Sequence, residues 1–218
     1  MEKFAILDFG KVLAYPTTGY WFITPKFKSL VNMEDLDIND ILNAMNRYNY
    51  IISEEAHTLE DEYDIFYRFY QNVFFSLKYK ISTDDLKSIA YNITYENDKY
   101  GIYPQVREEL EYLSSKYRLI MITDNWPCVT RILEFYKIDK YFEKIYISSV
   151  YASTKIKGKL FEIAKREFNI KREEAIFVDD NIEILKVAEN YGLIPVLMDR
   201  NKESLECNYK TINNLFEI

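Results

Sequence analysis

Five short apolar runs punctuate the chain: FAIL (4–7), RLIMI (118–122), KIYI (144–147), AIFV (175–178) and LIPVLM (193–198). They are almost continuously apolar rather than alternating, the pattern of strands covered on both faces. Before and between the last four runs the apolar positions take up a helical spacing. Helices are predicted over 104–117, about 128–138, 158–168 and 181–191, the first with Pro104 at its N1 position. Strands alternating with helices imply right-handed crossovers, and so an α/β fold built on a doubly wound parallel sheet.

Residues 17–97 break this rhythm. They contain no convincing buried strand and read as helices over about 38–53, 59–78 and 82–95. TLED (58–61) and STDD (82–85) have the character of N-terminal caps with acids in the first turn. Tyr63, Phe66, Tyr67, Tyr70 and Phe74 recur at helical steps and predict a packing stripe. The expected organisation is an α/β core domain from 1–16 and 98–218, with an inserted all-helical domain at 17–97.

Composition narrows the function. A net charge of −7 and a pI near 5.0 argue against a nucleic-acid partner, which needs basic patches. Cys128 and Cys207 are the only cysteines, so a CxxC zinc site is excluded and a disulfide framework is not expected. No apolar stretch is long enough for a membrane span, and Asp8 interrupts the first apolar run, so the expected location is the cytoplasm. The five glycines form no glycine-rich phosphate cradle. The single histidine, His57, lies in a polar stretch at a helix boundary, which argues against triad chemistry.

Ligands of a parallel sheet bind outside the carboxyl ends of its strands. The first strand runs into Asp8, the second into Thr123, Asp124 and Asn125, and the fourth into Asp179 and Asp180. Lys155 precedes a helix after the third. Each alone has a plain structural reading, such as a helix cap, a turn or a solvated lysine. Together they have one chemistry. Clustered carboxylates repel unless a cation joins them, and Mg²⁺ favours oxygen ligands. An aspartate can attack phosphorus, while a hydroxyl and an ammonium hold the phosphoryl oxygens.

The pieces ILDFGKVL (6–13), LIMITDN (119–125), STKIKGKLFEIA (153–164) and IFVDDNIEILKVAENYG (176–192), in this order, resemble the haloacid dehalogenase-like (HAD) hydrolase superfamily. The insertion at 17–97 is similar to that family's helical cap. The resemblance implies a Mg²⁺-dependent phosphatase of small phosphorylated metabolites. Asp8 would be the nucleophile and a metal ligand, and Gly10 would offer its carbonyl to the metal. Thr123 and Lys155 would hold the phosphoryl group, Asp180 would bind the metal, and Asp179 would bind it directly or through water. Asp124 occupies a position that varies between Asn and Asp in the family and is included among the substrate-binding candidates.

Two positions depart from the commonest family pattern. Gly10 stands where most family phosphatases carry a second aspartate for proton transfer, and Lys11 follows it. Lys11 could donate a proton, contact phosphate or point to solvent. Tyr15, Tyr20, Trp21 and Trp126 could line a pocket or simply pack. A metal-free 2-haloacid dehalogenase of the same fold is the rival reading; Gly10 and the paired Asp179–Asp180 weigh against it. A non-catalytic phosphate-sensing or partner-binding protein that keeps the metal site is the other.

Overall fold

A computed structural model describes residues 3–203 and 207–218. The chain divides into two compact units, one formed by 1–15 and 102–218 and the other by 16–101. The passages between them are β2 (Ala14–Pro16) and β3 (Tyr100–Ile102), which make a two-stranded sheet.

The first unit is α/β. Its parallel sheet contains β1 (Phe4–Leu7), β4 (Arg118–Thr123), β5 (Phe142–Ile147), β6 (Ala175–Asp179), β7 (Ile194–Met198) and β8 (Lys210–Ile212). The order is β5-β4-β1-β6-β7-β8. All four residues of β1 are buried, as a central strand covered on both faces requires. Leu7 pairs with Met121 on one side and with Val178 on the other. From β1 the chain goes to β4 and β5 on one side, then returns to β6, β7 and β8 on the other. The crevice of this topological switch opens at the carboxyl end of β1, where Asp8 follows.

The crossovers carry α6 (Val106–Ser114), α7 (Cys128–Phe135), α8 (Lys159–Glu167) and α9 (Ile182–Asn190). Phe4 and Ile6 share one buried cluster with Leu160, Phe161 and Ala164 of α8 and Leu185 and Ala188 of α9. Pro104 does not begin a helix: Val106 donates to the Tyr103 carbonyl, Gln105 is the N-cap, and α6 starts two residues after the proline. Helix α7 ends at Phe135, short of 138, because Lys137 takes a left-handed backbone. β8 is a short edge strand that no sequence run announces.

The second unit is helical: α1 (Pro25–Leu30), α2 (Ile38–Arg47), α3 (Asn49–Ile52), α4 (Leu59–Ser76) and α5 (Thr83–Tyr95). Thr58 and Asp61 form a reciprocal capping box on α4, and Ser82 caps α5. The predicted helix over 38–53 is two helices, divided at Tyr48. Helix α1 is absent from the sequence prediction, although Thr24 and Pro25 carry its cap and first turn. On α4 the buried stripe is Ile65, Phe66, Phe69, Tyr70, Val73 and Phe74. Phe69 belongs to it, whereas Tyr63 and Tyr67 stack half-buried on each other.

Candidate active site

Strand ends assemble the site within the α/β unit. Asp8 leaves β1 and its N–H donates to the Val178 carbonyl, so it stands beside Asp179, the last residue of β6. Lys155 sits on a single 3₁₀ turn, 155–157, whose end is set by Gly158 with φ +75°. Its Nζ donates to Asp179 Oδ2 at 2.6 Å and lies 2.9 Å from Asp8 Oδ1. The contact with Asp8 lacks hydrogen-bond alignment, and Asp8 Oδ1 is buried without a hydrogen-bond partner. The Asp179 carboxylate also accepts the Asn181 N–H at 2.9 Å, which turns the chain into α9.

Asp8, Asp179 and Asp180 bring one carboxylate oxygen each within 4.8 Å of one another. Burial pushes the Asp179 carboxyl up to about 7 against the pull of Lys155, with the Asp8 charge adding to the rise. Asp180 is raised by burial and then by Asp8, while Lys11 opposes both. Burial works against the Lys155 charge, but Asp179, Asp8 and Asp124 outweigh it and hold its pKa above the ordinary lysine range. Three carboxylates this close, all oxygen donors, are a set suited to a hard divalent cation.

Thr123 ends β4 and is buried. Asp124 keeps an exposed face while its Oδ1 accepts the Lys155 backbone N–H at 2.9 Å, so it braces the turn that presents the ammonium. Gly10 lies in the tight turn after β1, bridged to Ala14. Lys11, next along, has φ +52° and donates its N–H to the Ala14 carbonyl. Its half-exposed side chain reaches Asp180 Oδ2 at 3.2 Å. All eight sequence candidates thus lie at the carboxyl edge of one sheet. His57 lies in the helical unit, exposed beside the α4 cap, with Nε2 2.8 Å from Glu55. Trp21 packs on Tyr100 and Tyr15 on Tyr103. Cys128 and Cys207 are both free thiols.

Several polar groups that are not among those eight candidates also gather here. Asn125, Ser148, Ser149 and Ser153 are all buried. Asn125 N–H donates to Ser148 Oγ at 3.1 Å, and Ser148 N–H to the Thr123 carbonyl at 3.0 Å, tying the ends of β4 and β5 together. Arg200, just beyond β7, grips the Val12 carbonyl at 2.8 and 3.0 Å and forms a two-pronged pair with Glu109 at 2.6 and 2.8 Å. It also stacks on Tyr103.

A crevice at the switch point of a parallel sheet, lined by aspartates and a buried lysine, defines a hydrolase-type α/β site. The sequence matches the haloacid dehalogenase-like hydrolase family over residues 26–192, and the chain belongs to that family. The match contains Thr123, Lys155, Asp179 and Asp180; Asp8 precedes it. A search of curated protein sequences found no match. Among solved structures the fold is similar to that of YfnB from Bacillus subtilis, solved bound to magnesium (TM-score 0.69, 12% identity, covering 99% of this chain and 96% of that one). It is also similar to the L-2-haloacid dehalogenase from Xanthobacter autotrophicus with chloropropionic acid covalently bound (0.69, 10%, 99% and 96%). A HAD phosphatase from Thermococcus onnurineus is a further relative (0.64, 19%, 99% and 95%). Among the described residues no helix is long and apolar enough to cross a membrane.

Proposed function

We propose that this hydrolase is a Mg²⁺-dependent phosphatase that acts on a small phosphorylated metabolite through a phosphoaspartate on Asp8. The observation that carries the reading is the cluster of Asp8, Asp179 and Asp180, one carboxylate oxygen of each lying within 4.8 Å of the others. These three side chains and the Gly10 carbonyl would hold the ion. When bound, Mg²⁺ neutralises charge on the phosphoryl oxygens and on the aspartates themselves.

The chain's own groups account for the rest. An Asp8 carboxylate oxygen attacks phosphorus; the new O–P bond forms as the bond to the leaving oxygen breaks. Water then attacks phosphorus, the aspartyl–phosphate bond breaks, and inorganic phosphate leaves with Asp8 restored. Lys155, fixed between Asp8 and Asp179, supplies positive charge where phosphoryl charge spreads, and Thr123 supplies a hydroxyl donor. Asp124 keeps Lys155 in place. Gly10 offers no carboxyl to protonate the leaving oxygen, assistance worth about 10²–10⁴-fold. Acyl, anomeric and aryl phosphates, whose leaving groups depart unprotonated, are therefore the favoured substrates. The net negative charge weighs against a nucleic-acid partner.

The test is hydrolysis of p-nitrophenyl phosphate with Mg²⁺, with EDTA, and by Asp8→Asn. EDTA should abolish turnover, and Asp8→Asn should lower it by about 10³-fold or more. Acetyl phosphate should be turned over much faster than glycerol phosphate; equal rates would remove the leaving-group argument. Chloride release from 2-chloropropionate in EDTA would instead establish the dehalogenase.

A further inference from the structure

The site holds two ammonium groups of opposite character. Lys155 is buried and pinned by two carboxylates. Lys11 has a side chain 54% exposed and, among the described residues, pairs with one carboxylate, that of Asp180. Its backbone is fixed: besides its own bond to Ala14, both Leu13 and Ala14 donate to the Phe9 carbonyl at 2.9 and 3.0 Å. A rigid turn therefore carries a flexible four-carbon arm whose charge rests on one member of the acidic cluster. Four carboxyl groups, those of Asp8, Asp124, Asp179 and Asp180, share this edge with only these two ammoniums, a surplus of acids that a divalent cation would balance.

We infer that Lys11 is a tethered counter-ion of Asp180: it holds that carboxylate in the metal-free protein and must be displaced when a divalent cation takes it. This rests on the metal site proposed above and adds a regulatory property to it. The Lys11 ammonium and the cation compete for one oxygen group, so the lysine sets the cation concentration at which the site fills. A lysine suits this role because its compact charge sits on a stem that can swing into solvent, whereas the planar fork of arginine would hold a carboxylate more rigidly. Displacement also leaves a mobile positive charge at the mouth of the site, near enough to Asp180 to return when the cation leaves.

The experiment is calorimetric titration of Mg²⁺ into the 218-residue chain without any substrate. Lys11→Met and Lys11→Asn remove the charge; asparagine also accepts the left-handed backbone at this position. Both should tighten Mg²⁺ binding about tenfold, the weight of one nearby unit charge in a half-exposed setting. Lys11→Arg should stay within about threefold of wild type. Lys144→Met removes the same charge from β5, on the half of the strand away from the site, and should change the affinity by less than about twofold. Thermal unfolding of each variant in EDTA checks that it is folded. Equal or weaker Mg²⁺ binding by Lys11→Met and Lys11→Asn overturns the inference and leaves the metal site standing. Absence of Mg²⁺ binding in every protein overturns both. Tightened binding without phosphatase activity supports the inference and overturns only the proposed reaction.

Discussion

Arg200 shows how much a single residue can fasten. Its guanidinium is joined to the Val12 carbonyl, to both oxygens of Glu109 and to the Asn213 carbonyl, with a side chain 7% exposed against 0% for Glu109. It binds the turn that carries Gly10 and Lys11 to α6 and to the C-terminal segment. Breaking such a pair strands a buried charge, which costs about 3–5 kcal/mol. Arg200→Met should therefore destabilise the protein by that amount in urea unfolding. Arg200→Met combined with Glu109→Leu should recover a large part of the loss; a double variant no more stable than the single one would show that the Val12 and Asn213 contacts carry the effect. At this scale the sequence was informative where chemistry is unusual. An aspartate closing a buried apolar run is conspicuous, and so Asp8, Asp179 and Asp180 were legible. Arg200 and Ser153 were not, because an arginine or a serine in a loop is ordinarily solvated. Ser153 is buried, and the Arg200 side chain is 7% exposed, only because of the packing around them.

At the scale of elements, the turn bearing Lys155 is the most constrained piece of the site. Gly158 N–H donates to the Lys155 carbonyl at 2.9 Å and closes the turn with φ +75°. A Cβ there would stand 2.2 Å from the Tyr191 ring, which packs on Phe161. Gly158→Ala should cost about 2 kcal/mol or more, from left-handed strain plus the clash. Because the turn delivers the ammonium, the same change should lower turnover of p-nitrophenyl phosphate. Adding Tyr191→Ala should relieve the steric part and leave the strain, a coupling measurable in a double-mutant cycle by urea unfolding. Strands and long helices followed from their periodicity, and the caps at Thr58 and Ser82 from their residues. Short elements did not. Helix α1 has 6 residues and β8 has 3, too few to establish a period, and tertiary contacts rather than pattern hold them. The break between α2 and α3 at Tyr48 likewise interrupts a helical pattern without any proline or glycine to announce it.

At the scale of the molecule, every candidate site residue belongs to the α/β unit, and the helical unit is an insertion between 15 and 102. The ends left by removing it are already neighbours: Tyr103 N–H donates to the Leu13 carbonyl at 3.0 Å, and the Tyr15 and Tyr103 rings lie 5.2 Å apart. Replacing 16–101 by a short Gly-Ser linker should give a chain that unfolds cooperatively and still binds Mg²⁺ with near-wild-type affinity, since insertions joined at adjacent ends cost the host little. Loss of cooperative unfolding in circular dichroism would show that the α/β unit depends on the insertion.

The apolar runs by themselves determined that this protein has a parallel α/β sheet, because a strand buried on both faces must be apolar throughout. They also placed the candidate chemistry, because polar groups can enter such a sheet only where the strands end. Tertiary structure decided which of these groups meet. The order β5-β4-β1-β6 puts Asp8 between the Thr123 and Asp179 strand ends. The contact of Lys11 with Asp180, and that of Arg200 with Val12 across 188 residues of chain, arise only once that order is set. A one-dimensional pattern records which face each residue prefers; the partner it finds there depends on the packing of all the strands at once.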